Sequence, residues 1–213
     1  MEAEKRVNRF ADNEDSYTST LTKWTDAIAV RRRPAMAKSS GGSRALTPGS
    51  KNYKARLGDF NEKMMSGDYS EGYFSDKSGG YYLVEKSSAE HSDEEVEAAK
   101  ILADKGYIVK LKDEGGNMST PDGEVFSYTY EQRTPDKASG PNGVMKCIEH
   151  ATKKVHKKVK IDVSLIYDKH RRFTKSDIEQ GIKLYEQYNR RTRFKQIIVV
   201  SPSGRVHRHK HND

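Results

Sequence analysis

The stretch "SDEEVEAAKILADKGYIVKL", residues 92–111, decides the fold because it contains a complete helix followed by a strand. Ser92 and Glu95 match the S-x-x-E pattern of a capping box, in which each side chain caps the backbone N–H of the other residue. Apolar residues then recur at helical spacing, namely Val96, Ala99, Leu102 and Ala103. Gly106 supplies a helix stop, and residues 107–111 follow as a buried strand.

Segments on both sides of this unit extend the same alternation of helices and strands. A Gly-Gly turn leads into a strand in "SGGYYLVEK", and residues 123–131 alternate in a strand pattern with one aromatic face. Further elements are predicted as a helix at 143–157, a strand at 159–167, a helix opened by Ser176 and Glu179, and a strand at 195–201. This order predicts an α+β fold, with a single mostly antiparallel or mixed sheet flanked by about three helices.

Composition divides the chain into an arm and a folded domain. Hydrophobic and charged residues each make up 33% of the 213 residues, which is too polar for a chain packed from end to end. We expect residues 1–58 to form an extended, partly disordered polar arm or linker, with a short helix around Trp24. Residues 59–208 are then the folded domain, and 209–213 a basic tail.

The sequence also limits the location of the protein. No apolar run approaches the roughly 18 residues of a membrane span, and the N-terminus lacks the apolar core of a signal peptide. The single cysteine, Cys147, cannot form an intrachain disulfide. We therefore expect no membrane partner and a location in the cytoplasm of the producing cell.

Positive charge is concentrated in the last third of the chain. The net charge is +8 overall, and residues 141–213 hold 18 Lys and Arg against 7 Asp and Glu, a balance of +11. Such a surface attracts a phosphate backbone, so nucleic acid is the expected partner. The alternative is a solvated helix face that only keeps the chain soluble. Around His156, the exposed Lys153 and Lys157 fit phosphate contact better than catalysis.

The sequence "TPDGEVFSYTYEQRTPDK", residues 120–137, holds the first candidate for chemistry. Asp122 lies in a turn and Glu131 at a strand end, and two such carboxylates can share a divalent cation. Metal-dependent nucleases usually add a Lys two residues after the Glu, where this chain has Arg133. Arginine keeps its proton, so it can grip phosphate but cannot act as a base. The alternative is a β-turn Asp and a strand-end ion pair.

A route without an obligatory metal is the other candidate. RNA carries its own nucleophile, the 2′-hydroxyl, so cleavage needs a base, an acid and cationic stabilisation. The candidates for these roles include His91, His150, His156 and His170, together with Glu131, Arg133, Thr134 and Lys137. A separate set of histidines ends the chain in "HRHKHND". On a strand these would lie on one side as a metal or anion site, but a disordered tail is the commoner structure for such an end.

Four ordered strings resemble a known group of domains: "GGYYLVEKSSAEHSDEEVEAAKILADKGYIVKL", "TPDGEVFSYTYEQR", "CIEHATKKVHKKVKIDVS" and "RRTRFKQIIVVSPSGRV". They are similar to the nuclease-like C-terminal domains of contact-dependent growth inhibition tRNA nuclease toxins and of phage minor head proteins. This wider group is described as barnase/EndoU/colicin/RelE-like, and some members are compared with restriction endonucleases. The resemblance covers roughly residues 74–208. The chain departs from the family at Lys86, where a His is usual, and at Arg133, where a Lys is usual.

The resemblance implies a ribonuclease of the tRNA type that uses acid/base chemistry and cationic stabilisation. Glu131 and Arg133 would line its centre, His91 would be the acid or base, and Thr134 and Lys137 would orient or bind phosphate. The substrate backbone would contact Lys86, Arg191, Arg193, Lys153 and Lys157. No cofactor is required on this interpretation, although a divalent cation at Asp122 stays open, and an immunity protein is an expected partner. The alternative is a phage or mobile-element structural protein, virion-associated, that keeps the domain as a non-catalytic binding module.

Overall fold

A computed structural model describes residues 45–86, 91–112, 120–189 and 192–211. The helix predicted around Trp24 lies outside these residues, as does most of the predicted arm. The helices are α1 (Lys51–Met65), α2 (Asp93–Asp104), α3 (Gly140–His156) and α4 (Lys175–Tyr188). The strands are β1 (Tyr69–Phe74), β2 (Tyr81–Glu85), β3 (Ile108–Leu111), β4 (Gly123–Val125), β5 (Tyr128–Arg133), β6 (Val163–Tyr167), β7 (Gln196–Val200) and β8 (Val206–Lys210).

All eight strands form one mixed sheet in the order of the chain, from β1 to β8. Strands β2 and β3, β5 and β6, and β6 and β7 pair in parallel, and each of these pairs is connected by a helix. The other neighbours pair antiparallel. The α+β prediction with a single mixed sheet is therefore confirmed, and the described residues hold four helices instead of about three.

Helix α2 follows the sequence prediction closely. Its capping box is present, with the Ser92 hydroxyl accepting from the Glu95 N–H and the Glu95 side chain accepting from the Ser92 N–H. Gly106 ends the turn after the helix with a φ of 82°, a conformation that glycine adopts without strain. The helix buries Ala98, Ala99, Leu102 and Ala103 against the sheet.

The strand predicted at 123–131 is instead a hairpin. Strand β4 ends at Val125, Phe126 turns the chain with a φ of 58°, and β5 begins at Tyr128. The sequence shows continuous alternation of aromatic residues here. It has no Gly or Pro at Phe126 that would have indicated a turn. The last helix also starts differently: its capping box is made by Thr174 and Asp177, not by Ser176 and Glu179.

Several elements had no counterpart in the sequence prediction. Helix α1 begins at Lys51 and spans the predicted boundary at residue 58, burying Tyr53 beside Phe74. Strands β1 and β8 form the two edges of the sheet, and β8 includes residues that the sequence assigned to a basic tail. Strand β8 is polar along its length, and β1 has Ser70, Glu71 and Gly72 between its aromatic residues, so neither shows a clear hydrophobic alternation.

The two faces of the sheet have separate cores, and this arrangement positions the candidate site. On one face, α2 packs on β2 and β3, and Val163 and Leu165 of β6 belong to the same core. On the other, α3 and α4 pack around Ile166 of β6 and Ile197 of β7. Alternate residues of β5 therefore face α2 or α3. No helix among the described residues is long and apolar enough to cross a membrane.

Candidate functional site

The hairpin of β4 and β5 brings two acidic residues together inside the protein. Gly123 is paired with Tyr130, so Asp122 and Glu131, one residue outward on each strand, are neighbours. Only 6% of Asp122 and 3% of Glu131 is exposed. The backbone N–H of Gln132 donates to Asp122 Oδ2 at 2.6 Å, which fixes the orientation of that carboxylate. The hairpin therefore places the two carboxyl groups side by side in the interior.

Helix α3 contributes a cation to this pair. Lys154 Nζ lies 2.8 Å from Asp122 Oδ1 and 2.6 Å from Glu131 Oε2, and it also donates to Thr120 O at 2.9 Å. One turn earlier on the helix, His150 Nε2 lies 3.6 Å from Glu131 Oε1. Residues four apart on a helix share a face, so His150 and Lys154 both point to β5. We call the four residues Asp122, Glu131, His150 and Lys154 the carboxylate site.

The carboxylate site has one carboxyl group more than its own lysine can neutralise. Burial and the nearby Asp122 raise the pKa of Glu131 to about 8, against the opposing effect of Lys154. Burial lowers the pKa of Lys154, but hydrogen bonds to Asp122 and Glu131 outweigh burial and leave its pKa raised. Lys154 is therefore cationic at neutral pH, and the two carboxyls retain either a proton or a need for a further cation.

The pKa of His150 is shifted in the opposite direction to that of Lys154. Burial, together with the positive charges of Arg133 and Lys153, lowers the pKa of His150 below its usual value of 6.5. The imidazole is consequently neutral near pH 7 and able to accept a proton. Cys147, one turn before His150, is buried, and burial raises the pKa of its thiol to about 11. It stays protonated at neutral pH and is not a nucleophile.

Arg133 lies at the edge of the carboxylate site rather than within it. It follows Glu131 by two residues on β5, so both side chains are on the α3 face, and its side chain is exposed. The other predicted phosphate-binding residues with exposed positions are Lys86, Lys137, Lys153, Lys157 and Arg193, whereas Thr134 is half-buried. Arg191 lies outside the described residues. The roles of all these residues stay predictions.

His91 is placed apart from the carboxylate site. It immediately precedes the cap of α2, which packs on the opposite face of the sheet from α3. Its Nδ1 lies 3.6 Å from Glu95 Oε2, and its side chain is 5% exposed. Among the described residues it makes no hydrogen bond or ion pair with Glu131, and its catalytic role stays a prediction.

Lys154 is the site residue that sequence reasoning missed. The expected lysine was sought two positions after Glu131, on the same strand, and the chain supplies it from a helix 23 residues later. A signal was present in the sequence: Cys147, Ala151 and Lys154 have the i, i+4, i+7 spacing of one helix face, and the first two are buried. A lysine at the end of a buried stripe needs an acidic partner.

The donor atoms of the carboxylate site fit a hard divalent cation such as Mg²⁺. Such ions prefer carboxylate oxygens, and Mg²⁺ commonly uses only one or two carboxylates, with waters and substrate phosphate completing its shell. Glu131 Oε2 is shielded from solvent, and no aligned hydrogen bond reaches it within the described part of the chain despite its close contact with Lys154 Nζ. Asp122 and Glu131 are the residues that would hold the ion.

Comparison with known proteins gives one distant structural match. No protein-family model matches it, and no curated protein matches it. Among solved structures, it is similar to a chain of the CdiA-CT/CdiI toxin and immunity complex from Burkholderia pseudomallei. The match has 21% identity and a TM-score of 0.40, and covers 53% of this chain and 79% of the other. It is a distant structural likeness to one chain of that complex.

Proposed function

We propose that this protein is a nuclease that hydrolyses phosphodiester bonds at the carboxylate site with the help of a divalent cation, and that RNA is its substrate. One observation carries the proposal: two buried, adjacent carboxylates, Asp122 and Glu131, share a single lysine at 2.8 and 2.6 Å. One ammonium balances only one of the two carboxyls, and the raised pKa of Glu131 means that a proton balances the other at neutral pH; a divalent cation could take the place of that proton. The sequence alone favoured a reaction with no obligatory metal. The buried pair of carboxyl groups favours a reaction that uses one.

A bound Mg²⁺ would neutralise charge on the attacked phosphate and lower the pKa of water. The residues of the chain then have separate tasks. Lys154 holds the two carboxylates in place and offers its ammonium protons to phosphate oxygens that enter the site. Neutral His150 can accept a proton, because its pKa is lowered. Arg133, permanently cationic and exposed at the edge, would grip the substrate phosphate at two points.

The preference for RNA rests on charge and on the family resemblance of the motifs. The exposed Lys153 lies on α3, the helix that carries His150 and Lys154, and the exposed Lys157 caps its C-terminal end. They would bind the phosphate backbone independently of sequence. A tRNA substrate and an immunity or phage partner come from the resemblance alone and remain predictions.

A second candidate function is a nucleic-acid-binding module without catalysis. The contact of Lys154 with Asp122 and Glu131 also favours this alternative. Lys154 pairs with both carboxylates, as it would in an ion-pair network that only stabilises the fold. In that case the carboxylate site only stabilises the fold, and the exposed basic residues bind phosphate. Arg133 in place of the usual lysine agrees with this alternative.

Cleavage assays separate the two candidates. Purified protein would be incubated at low salt with total tRNA, single-stranded DNA and duplex DNA, each with Mg²⁺ or with EDTA. The variants are Asp122→Asn and Lys154→Met, and the matched control is Lys146→Met, an exposed lysine on the same helix. We expect tRNA cleavage by the wild type and the control in Mg²⁺, and none in EDTA or by the Asp122 variant.

Each other outcome decides against part of the proposal. If tRNA and both DNAs stay intact at high protein concentration, the nuclease function fails and the binding module is favoured. If cleavage is equal in EDTA, the metal is excluded and the metal-free route stands. If only DNA is cleaved, the proposed substrate is wrong although the site is right.

A further inference from the structure

A second cluster of metal-ligating side chains lies far along the chain from the carboxylate site, between β8 and α4. Strand β8 pairs antiparallel with β7, with His209 opposite Ile197 and His207 opposite Val199. Ile197 and Val199 belong to the same core as Ile182 and other buried residues of α4, so the histidines opposite them on β8 lie on the face of the sheet that this helix covers. The histidine repeat that the sequence assigned to a tail is therefore an ordered row of imidazoles against a helix.

His209 and His211 lie close to Glu186 of α4. Glu186 Oε1, in the last turn of α4, lies 3.1 Å from His209 Nε2 and 3.2 Å from His211 Nε2. The potential ligand atoms of the three residues all lie within 4.8 Å of one another. In a tetrahedral zinc site, bonds of about 2.0–2.1 Å place neighbouring ligand atoms about 3.3 Å apart. The two measured distances are close to that separation.

We infer that Glu186, His209 and His211 form a binding site for a zinc ion. Two imidazoles and one carboxylate are a ligand set that zinc uses with a water molecule in the fourth position. The two imidazole rings lie 5.3 Å apart and nearly perpendicular, at 89°, so they approach the shared point from different directions.

The buried Nε2 atom of His211 gives independent support for a bound ion. Its Nε2 is shielded from solvent and makes no aligned hydrogen bond within the described residues, although Glu186 Oε1 lies only 3.2 Å away. A polar atom buried without a hydrogen bond is costly. A zinc ion between the two side chains would satisfy this nitrogen and the carboxylate together. Mg²⁺ would not, because imidazole suits zinc and carboxylate oxygen suits magnesium.

The site has a structural consequence. Strand β8 is the edge of the sheet, it is polar, and its side chains are only half-buried. A zinc ion bound by two residues near its end and by α4 would fasten this edge to the helix, since metal binding to the folded state adds directly to its stability. The zinc site is separate from the carboxylate site in residues and in ligand chemistry.

Zinc titration tests the inference. Metal-free protein without a polyhistidine tag would be titrated with Zn²⁺ against a fluorescent chelator, and with Co²⁺ to detect the visible absorption band of four-coordinate cobalt. The test variants are His209→Ala with His211→Ala, and Glu186→Gln. The matched control is His207→Ala, a histidine of the same strand face, and Asp122→Asn controls for metal at the carboxylate site.

We expect one zinc per chain for the wild type, the His207 control and the Asp122 variant. The double histidine variant should bind at least about a hundredfold more weakly, since losing even an outer partner of a ligand costs roughly 10–100-fold. Zinc should raise the melting temperature of the wild type and not of this variant. Circular dichroism checks that both test variants are folded, and Glu186→Gln, which keeps the size of the side chain, should also bind zinc more weakly than the wild type. Absence of zinc binding by the wild type, or equal binding by the double variant, would overturn the inference and leave ordinary His–Glu ion pairs.

Discussion

Glu131 should make the stability of the metal-free protein fall as the pH rises. Burial and Asp122 raise the pKa of Glu131 from 4.5 to about 8 in the folded state. The folded protein therefore holds this proton more tightly than the unfolded chain does. Its stabilising effect is fully present below the unfolded pKa of 4.5 and is lost as the pH rises through about 8.

The size of the effect follows from the interval between the two values. One unit of pKa difference corresponds to about 1.36 kcal/mol of folding free energy, which gives an upper limit of ~5 kcal/mol for Glu131. The effective dielectric constant of protein sites is higher than that of a dry interior. We therefore expect an observed effect of ~2–4 kcal/mol.

The assay is urea unfolding in EDTA at about pH 5, 7 and 9, for the wild type and Glu131→Gln. Glutamine keeps the shape of the side chain and cannot ionise, so the difference between the two proteins removes other titrating groups such as His150. We expect the variant to gain stability relative to the wild type as the pH rises. Parallel pH profiles would refute the electrostatic argument. Added Mg²⁺ should narrow the gap, because it binds the ionised wild-type site.

Other predictions concern single residues. Lys154→Met should leave two unpaired buried carboxyls and reduce unfolding free energy by roughly 2–4 kcal/mol near pH 8, measured by urea unfolding; an unchanged midpoint would show that the ion pair is not stabilising. Arg133→Ala should slow tRNA cleavage by roughly 10–100-fold without changing the melting temperature, and an unchanged rate would remove Arg133 from the substrate path. The tRNA affinity of Asp122→Asn, measured by filter binding, should fall steeply with added salt; a flat response would contradict phosphate contact. Gly80→Ala should cost roughly 2–4 kcal/mol, since its Cβ would meet the backbone of Ala103, and an unchanged melting temperature would contradict this packing.

The fold was predictable where local signals agree with tertiary packing. The capping box of Ser92 and Glu95 and the stop at Gly106 specify α2 independently of context, and the apolar strands β3, β6 and β7 are evident from composition. The turn at Phe126 was not predictable, because its positive φ of 58° is imposed on a residue that does not favour it. The edge strands β1 and β8 form because they pair with β2 and β7, and their own sequences lack a clear hydrophobic alternation that would predict them.

Three of the four residues of the carboxylate site were named from the sequence, and Lys154 was not. Asp122 and Glu131 are neighbours only because the chain turns at Phe126, and the sequence analysis, which assigned one continuous strand to residues 123–131, did not predict that turn. Lys154 and His150 come from a helix that reaches β5 only through tertiary packing, and the sequence distance gives no geometric constraint. His91 was assigned to the same centre as Glu131 by the family resemblance, whereas α2, which His91 precedes, packs on the opposite face of the sheet from α3.

The most direct test of the central claim is the rate of tRNA cleavage as a function of Mg²⁺ concentration, measured under single-turnover conditions for the wild type and for Glu131→Gln. The proposed function predicts a wild-type rate that is absent in EDTA and saturates with Mg²⁺, and a variant rate lower by at least about a hundredfold. Equal rates for the two proteins, or a wild-type rate independent of Mg²⁺, would contradict a metal-dependent nuclease at Asp122, Glu131 and Lys154.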